Sequence, residues 1–188
     1  MILLNAPILT IHGAGQHGRV VAEAASLAGY MINITDDRVG TSPTLFDPCI
    51  IAIGDNKNRA KFHRYNLVSI IHASASVSSL SVLLSGSYVG PMGVIGTSAH
   101  IGRGSIINSG AIVEHDCIVG AYSHVAPGAV LCGSVTLGEG CFIGANAVVR
   151  EGIVIAPWTV VGCGAVVVEN ITQPGTYVGV PARLLRGE

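Results

Sequence analysis

Charge is what this sequence has least of. Asp, Glu, Lys and Arg make up 11% of its 188 residues, against about a quarter in an ordinary soluble domain. Ten basic residues face eleven acidic ones, for a formal net charge of −1. With no cationic surplus to displace counterions from phosphates, no nucleic acid is expected as a partner. Aromatics are sparse too, with one Trp, three Phe and five Tyr, too few for a base-stacking platform. The five cysteines, Cys49, Cys117, Cys132, Cys141 and Cys163, include no C-x-x-C pair. They read as reduced, buried thiols of a cytoplasmic protein, with neither a disulfide framework nor a metal site expected. The apolar start, Met1 to Thr10, lacks a positive flank and runs into a glycine turn, which predicts a first β-strand rather than a signal peptide. Tyr65 to Gly102 contains no charged residue, but its Ser and Gly content and its period do not suit a lipid-facing helix, so no membrane partner is expected.

Glycine, at 25 residues, and aliphatic side chains are abundant, and the aliphatics recur at a fixed interval. Every sixth residue from Ile71 to Val167 is Ile, Leu or Val, through 17 positions without a break. Four residues further on the side chain is small in 14 of the 17 repeats, with Val135, Ile153 and Ile171 the exceptions. A period of six fits neither a helix nor a plain alternating strand. It fits one short strand per hexad followed by a corner, three strands making a triangular coil of 18 residues. Coils stack at about 4.8 Å, so the series predicts a β-helix of nearly six coils. Glycines directly after the aliphatic position (Gly90, Gly96, Gly102, Gly120, Gly138, Gly144, Gly162) are expected to serve its corners.

Upstream the pattern is different. Pro7 to His12 reads as a strand, Gly13-Ala14-Gly15-Gln16-His17-Gly18 as a turn, and Arg19 to Ala28 as a helix stopped by Gly29. A second strand, Met31 to Thr35, ends at Asp36-Asp37; a third, Cys49 to Ile53, ends at Gly54 and leads to a helix over Lys57 to Tyr65. This is a βαβαβ unit. Its G-x-G-x-x-G turn, with acidic residues about 20 positions on, is the dinucleotide fingerprint. An NAD-dependent oxidoreductase is therefore one reading. A nucleotide diphosphate sugar fits the half-site equally well, and a glycine turn needed only for helix–strand packing is the third.

Titratable residues are scarce in the repeat, so the run Glu114-His115-Asp116 and then His124 stand out. A carboxylate beside an imidazole fixes its tautomer and tunes it as a base. No Ser-His-Asp or Cys-His nucleophile spacing is visible, which argues against a covalent enzyme intermediate. His115 and His124 are half a coil apart and so belong on different faces of the prism. That geometry predicts a site assembled across a subunit boundary, with three chains packed side by side. Ala145 and Cys163, 18 residues apart, share one column. His12, His63, His72 and His100 have no evident partner in sequence and read as structural, and Trp158 reads as packing.

The repeat resembles the hexapeptide acyltransferase family, and Gly175 to Arg183, GTYVGVPAR, is similar to the segment that closes the helix there. With the N-terminal unit the resemblance is nearest to the branch of sialic-acid O-acetyltransferase-like and nucleotide-amino-sugar N-acetyltransferase proteins. It implies a half-Rossmann-like α/β unit over 1–69, a left-handed parallel β-helix over 70–171 and a closing segment over 172–188. It implies acetyl-CoA as co-substrate and a nucleotide sugar, UDP-linked by preference, as acceptor, in a homotrimer. By the same resemblance His115 is the general base, Asp116 raises its basicity, and His124, Gly133, Ala145 and Cys163 line the coenzyme A slot. Gly15, Gln16, His17, Asp36, Asp37 and Gly54 bind the nucleotide sugar. Gln16 departs from the branch, which commonly has a small residue there. The expected reaction is N-acetylation of a nucleotide-linked 4-amino-4,6-dideoxy sugar. O-acetylation of a sialic acid is the alternative, and a β-helix binding protein without turnover the reading from another class.

Overall fold

The computed structural model describes residues 6–185; the predicted first strand's residues 1–5 and the closing segment's residues 186–188 lie outside the described residues. The N-terminal unit runs β1 (Ile8–His12), α1 (Gln16–Leu27), β2 (Met31–Thr35), β3 (Cys49–Ile51) and α2 (Asn56–Ala60). Its three strands are parallel in the order β2-β1-β3, one mononucleotide half of a doubly wound fold. α1 buries Gly18, Val21, Ala24 and Ala25, a stripe at helical spacing. It ends where Gly29 takes φ +89, a conformation that glycine adopts without penalty. β3 and α2 are both shorter than the sequence suggests. The Ile53 and Gly54 carbonyls are taken by Arg59 instead of a strand, and after Ala60 the chain closes i to i+3 turns at Phe62 and Tyr65.

From Ile70 onward 17 two-residue strands, the last at Val166–Val167, form three parallel faces. Face 1 carries Ile70–Ile71, Tyr88–Val89, Ile106–Ile107, His124–Val125, Phe142–Ile143 and Val160–Val161. Face 2 runs from Ser76–Val77 through Ile112–Val113 to Val166–Val167, and face 3 from Val82–Leu83 to Val154–Ile155. Partners are 18 residues apart throughout, as Ile106 with His124 and Ile112 with Val130. The hexad follows from this geometry. In all but the first coil the aliphatic residue and the residue four on both point into the prism, where Val113, Cys117, Leu131 and Val135 are fully buried. Ser87, Ser105, Ser123, Cys141 and Thr159 form one internal column, each donating to a backbone carbonyl, so no hydroxyl there is left unsatisfied.

The corners work differently from the expectation. The left-handed backbone position lies three residues past the aliphatic one, in 14 successive turns from Gly86 to Gly164. Seven of these are glycine and seven are Met92, Ser98, Asp116, Tyr122, Ser134, Asn146 and Trp158. The glycines directly after the aliphatic residue have ordinary φ; a Cβ at Gly96, Gly102 or Gly138 would instead run into the backbone of the next coil at 2.5–2.6 Å. In one column the side chains alternate from Gly104 to Trp158, the Tyr122 ring lying back over Gly104 and the Trp158 ring over Gly140.

The N-terminal unit covers the early part of face 1 with α1, burying Ile70, Tyr88 and Ile106 in one cluster with Val21, Ala24 and Ala25 and with Leu9, Ile11 and Ile50 of the sheet behind it. Polar grips complete the joint. Arg59, 1% exposed, donates to the carbonyls of Gly104, Tyr122 and Ser123 in the solenoid as well as to Ile53, Gly54 and Asn56 Oδ1. Asn56 Nδ2 donates to the carbonyls of Gly140 and Cys141.

Candidate functional site

Two groups of polar residues sit on different sides of the prism. The first lines a cavity of about 530 Å³ in the N-terminal unit, at the carboxyl ends of β1, β2 and β3, where open α/β sheets take ligands. The structure brings Gly15, Gln16, His17, Asp36, Asp37 and Gly54 together on its walls. Each glycine of the fingerprint has its own reason. Gly13 holds φ +117, a Cβ on Gly18 would collide with the Gly13 carbonyl, and a Cβ on Gly15 would meet no protein atom within 4 Å. Gly15 thus leaves open space at the start of α1. That helix has no side-chain cap and no acidic residue in its first turn, so its first N–H groups are free to meet an anion.

The adjacent aspartates divide their work. Asp36 is buried and accepts from the Ala14 N–H at 2.7 Å, from the Arg38 N–H at 2.9 Å and from Arg38 Nε and Nη2 at 2.8 and 2.6 Å. Its side-chain bonds to Arg38, reinforced by the backbone N–H groups, hold its carboxyl well below the usual carboxylate range. Both oxygens are committed to tying the glycine turn to the end of β2. Asp37 is the exposed one, accepting from Ser42 Oγ and standing 3.5 Å from His12 Nε2.

At the joint between unit and solenoid, His17 from α1 faces His124 from face 1, ring centroids 6.4 Å apart. His124 stands edge-on to Phe142. Asn108 Oδ1 accepts the Ser109 N–H, which fixes the amide so that Nδ2 donates to His124 Nε2 at 3.0 Å. Nδ1 therefore carries the proton of the neutral ring, and it finds no partner among the described residues. Burial first, then the Arg59 charge, pushes His17 down to about 4. Burial, Arg59 and then His17 push His124 down to about 3. Both rings are neutral at neutral pH.

The second group lies at the corner between faces 2 and 3, across the prism from face 1. There His115 Nδ1 is 2.8 Å from Asp116 Oδ2, with both side chains more than half exposed. An ionised carboxylate only accepts, so Nδ1 is the protonated nitrogen and Nε2 keeps a free lone pair. Such a pair can take a proton from an incoming nucleophile. Glu114 is exposed at the same corner. Gly133 lies one coil further on in the same column, against the His115 ring. Ala145 and Cys163 are stacked as expected, the Gly164 N–H donating to the Ala145 carbonyl. They follow face 1 and so occupy a different corner from Gly133 within one chain. All five cysteines are free thiols.

Sequence reasoning missed several residues. His12 is not without partners: it meets Thr35 Oγ1 at 3.0 Å, packs at a tilt against Phe62 with ring centroids 4.6 Å apart, and lines the cavity. Its place at the carboxyl end of β1, directly before Gly13, was the available signal. Arg38, Asn58, Lys61 and Tyr65 line the same cavity. Arg59 and Asn56 carried no sequence signal, because their partners are backbone carbonyls 45 to 85 residues away.

The family model described as bacterial transferase hexapeptide (six repeats) matches residues 98–133 and 134–168. A search of curated protein sequences returns no match. Among solved structures, the chain is similar to the acetyltransferase domain of PglB from Neisseria gonorrhoeae FA1090 in complex with acetyl coenzyme A. That match has 32% identity and TM-score 0.89, covering 96% of this chain and 100% of the other. It is similar to PerB from Caulobacter crescentus in complex with CoA and GDP-perosamine, at 33% identity and TM-score 0.87 over 97% and 99% of the two chains. WeeI from Acinetobacter baumannii AYE, at 24% identity and TM-score 0.85 over 95% and 99%, shares the fold.

Proposed function

Because this chain belongs to the hexapeptide-repeat acyltransferases, in their nucleotide-amino-sugar N-acetyltransferase branch, we propose that it transfers the acetyl group of acetyl-CoA to the amine of a nucleotide-linked 4-amino-4,6-dideoxy sugar. The observation that carries the reading is the exposed His115–Asp116 pair on the solenoid corner. Asp116 accepts a hydrogen bond from Nδ1–H and stabilises the imidazolium as it forms, while Nε2 removes a proton from the sugar nitrogen during attack on the thioester carbonyl. The tetrahedral intermediate then expels the coenzyme A thiolate. No acyl-enzyme is needed, because the thioester is already activated.

The nucleotide belongs in the N-terminal cavity. The open space at Gly15 and the free N–H groups of α1 suit a diphosphate, and Asp37, rather than the committed Asp36, is the carboxylate free to reach a ribose or base. His115 and this cavity lie on different sides of one prism, so the reading calls for a homotrimer. His115 and Asp116 of one chain then meet His124, Ala145 and Cys163 of the next along the coenzyme A slot. The outward row Val94, Ile112, Val130, Val148 and Val166 on face 2 is half-exposed and aliphatic, and packing between chains would cover it.

The test is thiol release from acetyl-CoA across a panel of UDP-, GDP- and dTDP-linked amino sugars, with free sialic acid and NAD alongside. Release with an amino sugar and not with sialic acid is expected. Tight NAD binding with no thiol release from any acceptor would sink the proposal.

A further inference from the structure

We infer that Gly133 is a positioning residue for the His115 imidazole, its missing side chain being the seat on which the ring rests. This rests on the reading of His115 as the base. Among the 17 hexads, the position two past the aliphatic residue is glycine only once, at 133, and that position lies one coil above His115 in the same column. Three things usually demand glycine, and two are absent here. The backbone of Gly133 is not in the left-handed region, unlike that of Gly128 or Gly140. The backbone of the next coil does not press on it either, as it does at Gly120 and Gly144. The three nearest atoms a Cβ would meet are all in the His115 ring, Cε1 and Nε2 at 2.6 Å and Nδ1 at 3.3 Å.

The ring is therefore held on two sides. Asp116 takes Nδ1, and the bare Gly133 receives the edge that carries Nε2. The two coils are also joined at this point, the Ser134 N–H donating to the His115 carbonyl at 2.9 Å. A methyl group at 133 has to displace the imidazole, and a shift of about 1 Å in a reacting group costs on the order of a hundredfold in rate. The missing side chain of Gly133 acts through the ring.

The experiment compares wild type, Gly133→Ala and His115→Ala with acetyl-CoA and an amino sugar that wild type turns over. It is joined to NMR of protein labelled at histidine Cε1, with His115→Ala identifying the resonance. Expected are a kcat at least about tenfold lower in Gly133→Ala with the KM for acetyl-CoA within about twofold, a contact between Gly133 Hα and His115 Hε1 in wild type, and a displaced His115 resonance in the variant. A raised KM for acetyl-CoA with kcat unchanged would make Gly133 a wall of the donor slot and overturn the inference. Lost turnover with an undisturbed His115 resonance would overturn it too. The wild-type Hα–Hε1 contact needs no variant to fold and no turnover. If wild type acetylates nothing, the reading of His115 as base fails while that contact still decides the seat.

Discussion

Asp116 holds φ 59 in a turn position where half of its counterparts are glycine. Aspartate tolerates this backbone better than most residues, and from it the carboxylate meets the preceding imidazole. His115→Ala is expected to lower kcat by about 10²- to 10⁴-fold while far-UV circular dichroism and the melting temperature stay unchanged, since the ring is exposed. The buried pair His17 and His124 makes a separate prediction about acid. Both pKa values lie below the ordinary histidine value of 6.5, at about 4 and about 3. Below pH 6.5 the unfolded chain binds protons that the folded one refuses, so stability falls as pH drops from 6.5 towards 4, by up to about 1.4 kcal/mol per unit for each ring. Above pH 6.5 both rings are neutral in both states and the contribution is flat. Melting temperatures between pH 7.5 and 4.5 check this, and His17→Phe/His124→Phe should flatten the slope. In sequence the pair at 115 and 116 was legible because titratable residues are so rare in the repeat. Which of Asp36 and Asp37 turns inward was not, since neighbours with the same side chain differ only in where Ala14 and Arg38 meet them.

At the scale of the element, each coil sets limits on its glycines that depend on position. Gly138→Ala brings a methyl against the backbone of Pro157 at 2.5 Å and is expected to cost about 1–3 kcal/mol. Gly110→Ala meets no atom within 4 Å but sits at φ +64, so about 1–2 kcal/mol of backbone strain is its whole cost. Their melting temperatures, with Gly152→Ala as a second open turn, separate contact from conformation. The joint between unit and solenoid gives the other prediction at this scale. Arg59→Met removes donors from carbonyls buried on both sides and should destabilise the protein by at least about 2 kcal/mol, read as a lower urea midpoint. It should also weaken nucleotide binding, because Gly54 loses its anchor. The sixfold period showed the solenoid plainly, one aliphatic residue at a time. The order of corner conformations stayed hidden, because Met92, Tyr122 and Trp158 adopt a backbone that no propensity assigns to them.

For the whole molecule, the separation of His115 from the N-terminal cavity sets up a mixing experiment on the proposed homotrimer. His115→Ala chains lack the proposed base but keep the cavity. Gly15→Val chains keep that imidazole, and their new side chain projects into space that no protein atom fills. Each preparation alone is expected to be nearly inactive. Unfolded and refolded together in equal amounts, they should recover about a quarter of wild-type turnover, the share of sites that draw both intact halves in a random threefold ring. No recovery would place base and acceptor in the same chain. No helix among the described residues is long and apolar enough to cross a membrane.

The column in which Tyr122 lies back over Gly104 and Trp158 over Gly140 also bears on how such a rod can grow. From Gly104 to Trp158 bulk and vacancy alternate there, so over these coils the repeat of shape is 36 residues rather than 18, although the column opens with two glycines, Gly86 and Gly104. A turn added next to either ring has to bring glycine at this position, because a second ring stacked on the first would find no hollow to receive it. Where such a rod can lengthen is set by the hollows beneath its rings.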